Sequence, residues 1–337
     1  MRGRPDIRFM AASGTCGCAH RFFEDKGEAE RNMNVEVYTL NAFAKGERGG
    51  NPAGVVLEGG LSLCAAEMQL IAKKLGFSET AFMEKSLFAD YKIRYFTPAS
   101  EVDLCGHATI AAFGLMHSLG LAKEGTSYKI ETKAGILDVD ISSEGLVYLS
   151  QALPQFLERI SCGEIAPSLG MNAEDLETGL PIQIVSTGLR DILIPIRSRK
   201  LLNDVQPNFD AITAISEKYD VVGYHLFTMD TPDDAVAECR NFAPLYDIPE
   251  ESATGTSNGA LLSYLYQHSQ LSLREVEHVM FRQGYSMNCP SEIKVGLRLS
   301  ESGEINQVRV GGAVAGIARK HITINVAYLS DDKNIYV

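Results

Sequence analysis

The chain has 337 residues, 45% of them hydrophobic and 22% charged, with 14 Phe, 13 Tyr and no Trp. This is the composition of an ordinary globular chain, too apolar for a disordered one, and the length corresponds to about two domains. The 31 Lys and Arg against 43 Asp and Glu give a formal charge of −12, which argues against nucleic acid as a partner, and no apolar run approaches the roughly 20 residues of a membrane span.

In chain order, Met1–Asn32 shows no sustained period of 2 or 3.6, is rich in Gly, Arg and Glu, and lacks the apolar stretch of a signal peptide. Residues 1–33 are therefore expected to form an extension outside the fold, either disordered or upstream of a start at Met33, and a cytoplasmic setting is expected. Cys16, Cys18 and His20 amount to half a metal site, but no partner pair at zinc spacing follows, so no metal is expected. The seven cysteines are odd in number and scattered, which suits reduced thiols.

From Val35 the pattern changes. Val35–Leu57 reads as two strands around a Gly-rich turn, followed by a helix at Ala65–Leu75 with Met68, Ile71, Ala72 and Leu75 on one face, and a strand at Thr80–Glu84. Phe96-Thr-Pro then leads through an acidic loop to Cys105-Gly106 and an apolar helix, His107–Met116, with strands at Tyr128–Thr132, Gly135–Ile141 and Leu146–Leu149. The same order returns: two strands in Ile182–Ile196, a helix at Phe209–Lys218 and a strand at Tyr224–Met229. Phe242-Ala-Pro follows, with a loop to Thr254-Gly255, an apolar helix at Thr256–Leu265, and strands at Glu292–Leu299, Ile305–Gly311 and Ala318–Val326.

The chain is thus a duplicated unit. Strands in hairpin-like runs with few helices predict an α+β fold of two pseudo-symmetric domains, each an antiparallel, barrel-like sheet around one central helix. The expected divisions are 34–150 and 181–329, with 151–180 as linker, 330–337 as a tail, and the last strand free to pair back onto the first domain. A cleft between the two domains is the expected ligand site.

If the halves are related by a twofold, the starts of both apolar helices point into that cleft, where backbone N–H groups and dipole ends favour an anion such as a small carboxylate. Glu79 lies between Ser78 and Thr80 and is flanked by Phe77 and Phe82, a setting in which desolvation suits a carboxylate to general acid/base work. The other half has no acid around Val222-Gly223-Tyr224. His107 could relay a proton or simply be structural. Glu250-Glu251 could serve chemistry or only the helix dipole, and Cys105 could be a reactive thiol or a buried inert one.

Asn51-Pro-Ala-Gly, Ser78-Glu-Thr-Ala-Phe, the run from Phe96-Thr-Pro to Gly106-His-Ala-Thr, Glu250–Thr256 with Asn258-Gly-Ala, and Arg309-Val-Gly-Gly together resemble the PhzF family of phenazine-biosynthesis-type isomerases. The resemblance runs from about Met33 to Leu329. It implies the diaminopimelate-epimerase-like fold, proton transfer without a cofactor, a small carboxylate substrate and a homodimer. It also implies Glu79, His107, Glu251 and Thr256 as catalytic residues and Asn51, Gly106, Thr254 and Gly255 as substrate contacts. Where the family commonly has Asp-Pro-Ala-Thr-Gly-Ser, this chain has Glu251-Ser-Ala-Thr-Gly-Thr256, so the reach of the acid and hydroxyl differs by about one bond, enough to alter substrate choice. Related epimerases carry two thiols at the Gly turns; here the positions are Cys105 and Thr254, which favours one-base chemistry by Glu79. The alternatives are a dehydratase or epimerase using Cys105, or a ligand-binding member without catalysis.

Overall fold

In the computed structural model, which describes residues 29–57, 62–176 and 179–328, one arrangement of strands and helices occurs twice. The first copy comprises β1 (Ala29–Ala42), β2 (Asn51–Val56), α1 (Ala65–Leu75), β3 (Thr80–Glu84), β4 (Tyr91–Phe96), β5 (Glu101–Val102), α2 (Gly106–Ser118), β6 (Thr126–Thr132), β7 (Gly135–Ile141) and β8 (Val147–Gln151). Next come β9 (Gln155–Arg159) and α3 (Cys162–Ile165). The second copy comprises β10 (Gln183–Ser186), β11 (Arg190–Pro195), α4 (Arg199–Asp204), α5 (Phe209–Tyr219), β12 (Gly223–Thr228), β13 (Ala237–Ala243), β14 (Ile248–Glu251), α6 (Gly255–Gln267), β15 (Val279–Gln283), β16 (Ser291–Leu299) and β17 (Ile305–Gly312), and β18 (Val314–Tyr328) follows it.

Pairing is the same in both copies. β1–β2, β3–β4, β4–β5, β6–β7 and β7–β8 are antiparallel, as are β10–β11, β12–β13, β13–β14, β15–β16 and β16–β17. β2–β3 and β4–β6 are parallel, matched by β11–β12 and β13–β15. Each parallel pair is joined through at least one helix, the crossover that parallel neighbours require, so the mainly antiparallel sheets carry parallel pairs at these four places.

The copies are tied together by main-chain hydrogen bonds. β8 runs antiparallel to β17, with Leu149 opposite Val310. β9, which follows β8, pairs with β10, and β18, which follows β17, pairs with β1. The strand that follows each copy therefore pairs with the first strand of the other copy.

Two expectations change as a result. The segment 151–180, read as a linker, holds β9 and places Ile160, Ile165, Leu169 and Leu176 in the apolar core of the second copy. β1 begins at Ala29 and pairs with β18 from that residue on, inside the segment 1–33 read as lying outside the fold. Residues 1–28, with Cys16, Cys18 and His20, and the segment 330–337 lie outside the described residues.

α2 is buried from His107 to Met116 and α6 from Ser257 to Leu265, as expected for helices with no polar face. Both lie in one apolar core that includes Phe43, Leu149 and Val310. α1, in contrast, is amphipathic: it buries Met68, Ile71 and Ala72 and ends at Gly76, whose φ of 69° suits a glycine cap.

Register locates the counterpart of Glu79. Thr80 faces Phe96 across β3–β4, and Tyr224 faces Phe242 across β12–β13, so Gly223 occupies the place of Glu79. A Cβ at Gly223 would lie 2.0 Å from the Phe242 carbonyl oxygen, and the second copy has no room for a side chain there. Gly223→Ala is expected to cost about 1–3 kcal/mol through this clash. Gly163→Ala, where a new Cβ meets nothing within 4 Å, should stay within about 0.5 kcal/mol of the parent. Urea unfolding measures both; an unchanged midpoint for Gly223→Ala would contradict the packing.

Candidate active site

Glu79 stands immediately before β3, where the Gly54 N–H donates to its carbonyl oxygen at 3.2 Å and sets the backbone at the edge of the sheet. The turn after β5 delivers Cys105, Gly106 and His107 at the start of α2, and the turn after β14 delivers Thr254, Gly255 and Thr256 at the start of α6. All of these, with Glu251, line a cavity of about 600 Å³ between the copies. Neither helix start is capped by the side chain of its preceding residue, Cys105 or Thr254, so both present first-turn N–H groups at the cavity wall.

The first copy contributes a short polar chain. The Sγ of Cys105 lies 3.4 Å from Nδ1 of His107, and Nε2 of His107 lies 3.4 Å from Oε2 of Glu79. Burial and the neighbouring Glu79 carboxylate push the Cys105 thiol well above its ordinary range, against the pull of the Ala108 N–H. That keeps Cys105 a thiol and argues against the reading in which it acts as the thiolate base.

The second copy contributes a clamp. Glu251 accepts from Asn51 Nδ2 at 2.9 Å on one oxygen and from the Thr254 hydroxyl at 2.6 Å on the other. Gln283, fully buried, donates to the Glu251 carbonyl and to Thr254 Oγ1, and accepts from the Thr254 N–H and from Asn258 Nδ2. Burial raises the Glu251 carboxyl from its ordinary value; the facing His107 and the Thr254 hydroxyl oppose this and the Glu79 charge adds to it.

Of the residues singled out from sequence, Glu79, His107, Glu251, Thr254, Thr256, Gly106, Gly255 and Cys105 meet at this cavity. Asn51 does not line it. Both hydrogens of the Asn51 amide are occupied, one by Glu251 and one by the Ala253 carbonyl at 3.0 Å. Asn51, expected from sequence to touch substrate, holds Glu251 in place from the other copy.

Two site residues were not foreseen. Gln283 ends a strand with nothing in its neighbourhood to mark it. Asp191 is a charge at the head of the apolar run Ile192-Leu-Ile-Pro195, which is the available signal, since an acid buried in a strand needs a reason. It is 2% exposed, lines the cavity and accepts from the Ser257 hydroxyl at 2.6 Å. Asn241, which also lines the cavity, reaches Ser257 Oγ and Nδ1 of His225, and burial lowers His225 to about 3, so that ring is neutral.

Four carboxylates line the cavity (Glu79, Asp103, Asp191 and Glu251), and among the described residues no Lys or Arg does. The local positive potential expected of the cleft is therefore confined to the two helix starts. Glu79, Cys105 and His107 also present one ligand atom each within 4.8 Å of one another, the one such group of metal-donor side chains among the described residues.

Burial pushes Asp191 from 3.8 up to about 6. Between those values the folded protein retains a proton that the unfolded chain has released, so stability falls as pH rises through that window, by on the order of 3 kcal/mol. Asp191→Asn removes this dependence. The stability of the variant relative to the parent should therefore rise by about that amount between pH 4 and pH 7, as followed by urea unfolding; parallel pH profiles would refute a buried, ionisable Asp191.

Comparison with known proteins places the chain in a family. The family model for phenazine biosynthesis-like proteins, PhzC-PhzF, matches residues 40–319. The uncharacterized isomerase YfhB of Bacillus subtilis is 34% identical over 284 residues, 82% of this chain and 95% of that protein. The crystal structure of the Bacillus anthracis phenazine biosynthesis protein of the PhzF family matches with a TM-score of 0.77 at 30% identity, over 87% of this chain and 100% of that one. A hydroxyproline epimerase from Agrobacterium vitis, crystallised with trans-4-hydroxy-L-proline, matches with a TM-score of 0.56 at 12% identity over 86% of this chain and 93% of that one, a likeness of fold alone. The order of the motifs, the duplicated sheet and the matched family model together establish that the chain belongs to the PhzC/PhzF family of phenazine biosynthesis-like proteins.

Proposed function

We propose that this chain, an isomerase by family membership, moves a proton within a small carboxylate substrate without a cofactor, with Glu79 as the general acid/base. The observation that carries this reading is the Glu79–His107 pair, 3.4 Å apart, at the wall of a cavity that also receives the starts of both buried helices. With no Lys or Arg lining the cavity among the described residues, the substrate carboxylate rests on N–H groups near Gly106 and Gly255, each helix start contributing about 0.3–1 kcal/mol or more in a partly buried setting.

In this mechanism Glu79 removes a proton from a carbon activated by the carboxyl or a neighbouring carbonyl group. The charge that develops on the substrate oxygen faces the helix N-termini, which stabilise it more than they stabilise the ground state. Protonated Glu79 then returns the proton at a second carbon on the same face. His107 holds the Glu79 carboxylate and shares its proton. From the other copy, Glu251 and Thr256 complete the pocket, and Asn51, Thr254 and Gln283 immobilise Glu251. A second base at the Thr254 position is ruled against by chemistry: a hydroxyl is a weak base, and this one already donates to Glu251 at 2.6 Å.

A panel of small carboxylates, screened first for thermal stabilisation and then by NMR for solvent-deuterium incorporation, tests the reading. In Glu79→Gln, exchange on an accepted carboxylate should fall by about 10²–10⁴-fold with the thermal stabilisation by ligand retained, whereas Cys105→Ala should keep most of it. Undiminished exchange in Glu79→Gln would reject Glu79 as the base. Loss of exchange in Cys105→Ala with substrate-protected alkylation would favour the thiol mechanism. Stabilisation without exchange in the parent would identify a binding protein.

A further inference from the structure

The polar chain of the first copy has a geometry that proton transfer does not exhaust. A tetrahedral zinc with sulfur at about 2.3 Å and nitrogen or oxygen at about 2.0–2.2 Å has ligand–ligand edges of about 3.3–3.7 Å. Here Sγ of Cys105 is 3.4 Å from Nδ1 of His107, within that range, and 4.0 Å from Nε2, while Oε2 of Glu79 is 3.4 Å from Nε2, and one ligand atom from each of the three residues falls within 4.8 Å of the others. With Nδ1 as the ring ligand, a rotamer adjustment of Glu79, whose side chain is 22% exposed, carries its carboxylate round to that nitrogen and closes the remaining gap. The ring and the thiol are both held at the start of a buried helix.

We propose that Glu79, Cys105 and His107 form a binding site for a thiophilic divalent cation, Zn²⁺ or Co²⁺, with the fourth position open to water or a substrate oxygen from the cavity, and that its occupation switches the isomerase off. Thiolate, imidazole and carboxylate form a donor set that favours zinc-like ions over Mg²⁺ or Ca²⁺. Binding exchanges the Cys105 thiol proton, released to solvent, for a sulfur–metal bond, with no change of oxidation state. The buried, acid-flanked surroundings that disfavour a bare thiolate are offset by the dication itself. A metal held there occupies the Glu79 carboxylate and the His107 ring together; this inhibitory clause rests on the proposed role of Glu79, whereas the binding site does not.

Cobalt titration of the full chain, reduced with a phosphine and freed of metal, reads the site directly. One Co²⁺ per chain should give a near-ultraviolet thiolate charge-transfer band with strong visible bands of tetrahedral cobalt, displaced stoichiometrically by Zn²⁺. Cys105→Ser should abolish the charge-transfer band. Serine suits a helix N-cap, and a thermal melt confirms that this variant folds. His107→Gln and Glu79→Gln should each weaken cobalt binding at least tenfold, and the double variant Cys16→Ser/Cys18→Ser should leave the spectrum unchanged. Absence of the band, or its survival in Cys105→Ser, overturns the site and leaves the Glu79 mechanism standing. A band that depends on Cys105, accompanied by undiminished deuterium exchange in the zinc-loaded protein, keeps the site and overturns both the switch and Glu79 as the base.

Discussion

Everything in this molecule depends on the covering of two helices that have no polar side. α2 and α6 are buried along nearly their whole length, and a helix of that kind is stable in water only when surrounded. One sheet edge cannot do that, so each helix is covered by the strands of its own copy within one continuous sheet. Each set of strands is completed by the strand that follows the other copy, β18 on β1 and β9 on β10. The exchange makes the two copies inseparable, and the shared core around Phe43, Leu149 and Val310 follows from it.

The same constraint places the chemistry. With their flanks covered, the helices meet the cavity at their first turns, where backbone N–H groups have no intrahelical acceptor. The site therefore has fixed, uncharged donors on two sides and gains its reactive groups from the turns leading into them. Those donors are backbone, so they persist in both copies while the side chains around them diverge.

The divergence is steric as well as chemical. Where one copy carries Glu79, the other has Gly223 with the Phe242 carbonyl in the way. Register across the β2–β3 and β11–β12 pairs puts Ala53 in one copy where Asp191 stands in the other. Each copy thus brings acids to the cavity, but from different places in the fold and with different freedom: Glu79 is partly exposed, while Asp191 and Glu251 are held by hydroxyl donors and burial. A duplicated scaffold has become a site with one reactive side and one clamped side.

The duplication, the buried helices, the strands flanking them and the turns carrying Cys105-Gly106-His107 and Thr254-Gly255-Thr256 were legible in the chain itself, because hydrophobic period and Gly or Pro punctuation are local properties. The carboxylate of Glu79 could be picked out because its surroundings differ from those of its counterpart within the same sequence. Long-range pairing was not legible: β9 looks like linker, four strand pairs are parallel, and β1 begins at Ala29, since which strand lies beside which is decided by sheet closure and not by local pattern. For the same reason the bond from Asn51 to Glu251 was not legible, and Gln283 gave no sign at all, its side-chain hydrogen bonds all being made to residues some 25 or more positions away. The sequence alone determined the repeating unit, the two helix starts and the presence of an acid beside one of them. Tertiary structure decided which acid is free, which is clamped and which donors hold it, because a buried polar group takes its role from the partners the fold brings to it.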